Sequence, residues 1–160
     1  MGIEANFDLQ AVRKYVESKK DAFVEAALEA YKLTCIAMVK RAKETDTYKD
    51  QTHKLRSSIG CVLYHDGVEV FNYFESTGGE MGGEGVQEGL AHARLVAEQQ
   101  VDKTIVAVVV AGADYALYVE SNGFDVLTGS TYGFSSDLKR EFKDIMDAFS
   151  DNVREHFNIK

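Results

Sequence analysis

The chain has 160 residues, 45% hydrophobic and 28% charged, with a net charge of −8; that is enough for one well-buried core and short for two. The acidic balance argues against a general nucleic-acid binder, since affinity for phosphate comes from lysine and arginine. The longest apolar run, Ile105 to Ala113, is too short to cross a bilayer, and Met1-Gly2-Ile3-Glu4-Ala5-Asn6 lacks the basic flank and apolar run of a signal peptide, so the expectation is a soluble protein made and kept in a cytoplasm.

Asp8 is placed to cap a short first helix reaching about Lys20. A longer helix is expected after Asp21, where Val24, Leu28, Tyr31, Cys35, Met38 and Ala42 recur at three- and four-residue steps. Lys40, Arg41 and Lys43 near its end complement the helix dipole. Thr45 to Lys54 is polar and reads as a loop. From Ser57 the period shortens to two, with Ile59, Cys61 and Leu63 on one face, and Asp66-Gly67 marks a hairpin turn into a second strand over Glu69 to Phe74.

Gly78, Gly79, Gly82, Gly83 and Gly85 crowd the next connection, and a helix is predicted from about Val86 to Gln100. Thr104 to Ala111, dense in valine, reads as a central strand. Ala113 to Ser121 reads as its antiparallel neighbour, ended by Asn122-Gly123. Period two puts Tyr115 and Tyr118 on opposite faces of that strand, one in the core and one outside, unless a bulge intervenes. A final helix is capped by Ser135 or Ser136 and striped by Leu138, Phe142, Ile145, Phe149 and Val153. The sum is an α+β domain spanning residues 1–160. It has a helical segment over 8–44, a sheet core of about four strands over 57–127 with one inserted helix, and a closing helix over 136–156.

Reactive chemistry finds little support along the chain. The glycine-rich stretch lacks the Gly-Lys-Ser/Thr of a phosphate cradle, and Glu80 and Glu84 would repel a phosphate. His53, His65, His92 and His156 are scattered without metal-ligand spacing. Asp50, His53 and Ser57 share one short loop, whereas hydrolytic triads are assembled from separate elements around a buried base. Cys35 and Cys61 are read as buried thiols. No proline occurs, where average usage predicts about eight, so turns rest on glycine, asparagine and aspartate.

Surface recognition has better candidates. Lys54 and Arg56 precede a strand, and Arg56 could clamp a carboxylate or simply guard a sheet edge. Tyr115, Tyr118 and Glu120 form a candidate interface cluster, with packing as the competing reading. Six basic residues against three acidic ones lie between Lys40 and Arg56, and eight acidic ones against Arg94 lie between Asp66 and Asp102. Such segregation suits copies meeting head to tail, or else two solvated faces.

Several motifs together resemble a known family. Asp50-Gln51-Thr52-His53-Lys54-Leu55-Arg56-Ser57-Ser58-Ile59, the hairpin Tyr64-His65-Asp66-Gly67, Val108-Val109-Val110-Ala111-Gly112, Tyr115-Ala116-Leu117-Tyr118-Val119-Glu120 and Gly123-Phe124-Asp125-Val126-Leu127 are similar in order and spacing to the tail-component family of tailed bacteriophages and prophages, also described as tail-completion or head–tail joining proteins. Two positions depart from it. The family often has glycine after the threonine, where His53 stands, and many members carry a Lys-Pro-Phe-type segment where Thr128-Gly129-Ser130-Thr131 stands. The resemblance implies an α+β virion structural protein without enzymatic activity, cofactor or metal. It would be assembled in the host bacterial cytoplasm and seated between phage head–tail connector and tail proteins. A homo-oligomeric ring, with no sequence-specific nucleic-acid binding and no membrane, is the associated expectation. The alternative is a small-ligand or peptide-binding module using the surface near Tyr115.

Overall fold

A computed structural model of the chain describes residues 8–100 and 103–157. Asp102, at the end of the acidic stretch, and the Val153 side chain lie outside the described residues. Helix α1 (Leu9–Ser18) is capped by Asp8, whose carboxylate accepts the Gln10 N–H at 2.8 Å. After the break at Lys19, α2 (Lys20–Glu44) runs for 25 residues. A four-residue turn of helix, α3 (Lys54–Ser57), then leads into β1 (Ile59–His65), β2 (Val68–Phe74), α4 (Gly82–Glu98) and β3 (Ile105–Ala111). Three helices close the chain: α5 (Ala116–Ser121), α6 (Thr128–Thr131) and α7 (Phe134–Phe157).

The sheet has three strands in the order β2-β1-β3, antiparallel throughout. Asp66 and Gly67 both take positive φ, 48° and 78°, the geometry of a two-residue hairpin turn that matches the strand twist. Val70 is the extra residue where the β1–β2 register slips, between Leu63↔Phe71 and Tyr64↔Glu69.

Alternation along β1 divides the core. Ile59 and Cys61 face α2, in a cluster with Cys35, Val39, Ala42 and Leu55. Val62 faces α4, with Ala93, Ala97, Val108 and Val110. Helix α7 packs on the far side of α2, through Tyr31–Phe142 and Phe23–Phe149 edge contacts at 5.6 and 6.0 Å and the Arg41–Asp137 pair at 2.7 Å. Because α2 lies between the sheet and α7, its buried set broadens beyond one stripe to include Ala27, Ala30, Thr34 and Val39. Cys35 and Cys61 are free and buried.

Four expectations need correction. The strand expected over Thr104 to Ala111 as central is an edge strand, with β1 at the centre, and the last helix begins at Phe134, so Ser135 and Ser136 lie in its first turn and do not cap it. The fourth strand does not form: beyond Ala111 the Gly112 and Ala113 N–H groups bond to the Ser58 carbonyl and hydroxyl. Ala116–Ser121 then satisfies its own backbone as a helix, and the outer edge of β3 has no strand beside it. The inserted helix also starts earlier than Val86. Gly82, Gly83 and Gly85 are its first turn, not a loop, and the lack of side chains at Gly82 and Gly85 lets the helix reach the chain beneath it, while Gly83 faces open space.

Candidate functional site

The segment 45–58 folds back along the end of α2 and is held there by its own polar groups. Arg56 donates from its backbone N–H to Asp50 Oδ2 at 2.7 Å. Its Nη1 donates to the Lys43 carbonyl at 2.7 Å, its Nη2 to the Tyr48 carbonyl at 3.3 Å, and the guanidinium lies 5.0 Å from the Tyr48 ring centre. This arginine caps the last turn of α2 and pins the loop after it. Tyr48 is buried beneath it, and burial pushes its hydroxyl up to about 12. That hydroxyl has no hydrogen-bond partner among the described residues.

Lys54 is buried at 8% exposure and reaches Glu84 Oε1 and Glu88 Oε1, each at 2.8 Å. The hydrogen bonds that its ammonium donates to Glu84 and Glu88 raise its pKa. The pair sits four residues apart on one face of α4, so one ammonium ties α3 to α4. Arg94 likewise donates to both oxygens of Glu69 at 2.8 and 3.0 Å. The segregated charges thus meet partly within one chain.

His53 occupies the left-handed region, with φ 60° and ψ 12°. That region penalises a Cβ, so glycine would fit here with less strain than His53. The His53 and Ser57 side chains both meet Thr77, with Ser57 Oγ 3.1 Å from Thr77 Oγ1, while the Asp50 carboxylate goes to Arg56 and touches neither. His53 Nδ1 lies 3.3 Å from Thr77 Oγ1, Ser57 Oγ accepts the Thr77 N–H at 2.9 Å, and Asp50 holds Arg56. No triad is assembled.

Tyr115 and Tyr118 are three residues apart at the start of α5, so both line one groove, where a strand would have separated them. The groove, of ≈ 880 Å³, runs between residues 46–52 and α5, and Tyr48, Leu55 and Phe124 also line it. Thr47 fastens its far end, accepting the Asp125 N–H and donating to the Asp125 carbonyl, both at 3.0 Å. Tyr115 is half-buried, while Tyr118 is 72% exposed and Leu117 beside it 80%. Phe124, at 44%, lines the groove with Tyr118, whereas Leu117 is not one of its lining residues.

Glu120 turns inward. Its carboxylate accepts the N–H groups of Val126 and Leu127 at 3.0 Å and of Thr128 at 3.1 Å. Burial pushes this carboxyl up, and the hydrogen bonds from Thr128 and the backbone N–H groups outweigh it, leaving the pKa below its ordinary value. Arg56, Lys54 and Glu120 therefore hold loops, and Tyr118 is the member of the expected set presented to solvent. Leu117 was not legible as a surface residue, because a strand reading puts it on the same face as Tyr115, and Phe124 lies past the turn that ended that strand.

No family model matches this chain, and no curated protein or solved structure matches it.

Proposed function

We propose that this chain is a tailed-phage or prophage virion protein that works by docking at the head–tail junction, without catalysis. The observation that carries the docking half is the exposure of Tyr118 and Phe124 along one groove, with Leu117 exposed next to Tyr118 on α5, on a frame made rigid by Arg56 and Glu120. Large apolar side chains held out by internally satisfied polar groups suit an interface anchor. The virion half rests on the order and spacing of the motifs from Asp50 to Leu127.

In this reading the groove wall formed by α5 meets connector or tail proteins, and Lys54 serves the fold from within. The test is in vitro joining: DNA-filled capsids and tails, both lacking this protein, are mixed with purified chain and joined particles counted by electron microscopy. Wild type is expected to restore joining and a Leu117→Glu/Tyr118→Glu double variant to abolish it while keeping its circular dichroism. Joining that proceeds equally well without the protein sinks the proposal.

The ≈ 880 Å³ groove keeps a second reading in play, a small-ligand or peptide module with Tyr48, Tyr115 and Tyr118 as its walls. Saturable quenching of tyrosine fluorescence by a small ligand, at concentrations that leave joining unaffected, would favour it.

A further inference from the structure

The two edges of the sheet are not equivalent. The Gly112 N–H bonds to the Ser58 carbonyl and the Asp66 N–H to the Thr104 carbonyl, and β1 and β3 pair in unbroken register between those points. In an antiparallel ladder the bonding residues alternate, so the even-numbered residues of β3 bond to β1. The N–H and C=O groups of Ile105, Ala107, Val109 and Ala111 then point away from the sheet. No hydrogen bond reaches them among the described residues, and all four residues are only partly buried. The strand Ile105–Ala111 carries no charge, proline or bulge, the devices that ordinarily block a free edge. The β2 edge does carry such devices, in the bulge at Val70 and the Glu69–Arg94 pair.

We infer that β3 pairs with β3 of a second copy of this chain, joining two sheets into one of six strands. Three features select that occupant. First, the register is self-complementary: a two-fold axis at Val108 sets Ile105 opposite Ala111 and Ala107 opposite Val109, so every outward group finds a partner. Second, the strand is uncharged, so two acidic chains meet without like charges opposed. Third, one open edge and one blocked edge give a closed isologous pair, where two open edges would give a fibre. The inference is independent of the virion reading.

Full-length protein is examined by sedimentation velocity across a concentration series, with amide hydrogen exchange read at the dilute and concentrated ends. The expected results are a doubling of mass and at least tenfold slower exchange at Ile105, Ala107, Val109 and Ala111 in the dimer. Ala107→Pro removes an N–H that the single chain does not use and is expected to abolish the doubling. Val108→Cys at the two-fold is expected to give an oxidised covalent dimer, and Val106→Cys is not; the native thiols are buried at 1% and 0% exposure and do not compete. Should Ala107→Pro fail to fold, the cysteine pair and the exchange pattern still decide. A chain monomeric throughout with four fast amides overturns the inference. So does a dimer that a folded Ala107→Pro leaves intact, a cross-link at position 106 or at neither position, or protection that arises only when another protein is added.

Discussion

The helices on the two faces of the sheet solve the same problem in opposite ways. Helix α2 fills space with side chains: Cys35, Val39 and Ala42 meet Ile59, Cys61 and Leu55. Helix α4 instead removes side chains at its start, so that backbone rests on backbone. A Cβ on Gly85 would run into the Lys54 carbonyl, one on Gly89 into the Ser58 carbonyl, and one on Gly112 would meet the Gly89 Cα. The difference teaches where each face is vulnerable. The α2 face loses stability when volume is taken away, and the α4 face when volume is added.

The largest expected effect tests the first half. Leu55, at 2% exposure, sits in the α2-side cluster, and Leu55→Ala should cost about 2–5 kcal/mol by denaturant unfolding. A cost below about 1 kcal/mol would mean that this face can collapse around a void. Gly89→Ala tests the second half. The obstructing atoms belong to the Ser58 backbone, which cannot swing aside, so a loss of about 1–3 kcal/mol is expected despite alanine's better helix propensity. A stabilised Gly89→Ala protein would show that α4 does not need its close approach.

Tyr48→Phe sharpens the comparison by removing a polar atom while leaving the ring. Because that hydroxyl is buried without a partner, the variant should gain about 1 kcal/mol; a clear loss would assign the hydroxyl a bond. The smallest effect lies at the rim of the α4 face. Hydrogen bonds from Arg94 hold the Glu69 pKa down to about 2 from an ordinary 4.5. A depressed folded-state pKa gives stability that is present above pH 4.5 and lost as pH falls toward 2. Glu69→Gln should flatten the acid limb of the stability profile between those values, and an unchanged limb would remove the pair from the account.

Much of this fold was legible along the chain because its signals are local. Asp8 before an apolar-periodic run, Asp66-Gly67 between alternating strands and the valines of β3 each carry their own backbone logic. Ala113–Ser121 was misread because Tyr-Ala-Leu-Tyr-Val is as rich in aromatic and aliphatic side chains as a strand, whereas Ala116–Ser121 closes its own hydrogen bonds as a helix and leaves the edge of β3 unpaired. The glycines of 82–85 read as a loop because propensity counts each glycine against a helix, whereas here they serve contact with Ser57 and Lys54. At the candidate site Lys54, Arg56 and Glu120 look alike in sequence to surface charges. Only their partners, in α4, α2 and the 126–128 backbone, reveal them as fasteners.

By itself, the sequence determined the mixed helix–strand character, the hairpin, the Asp8 cap and the two buried thiols, since these follow from residue type and from neighbours within a few residues. Tertiary structure alone decided the strand count, the inward pairing of the charges and which aromatic faces water. Those depend on what lies opposite a residue in space, and a one-dimensional pattern does not hold that information.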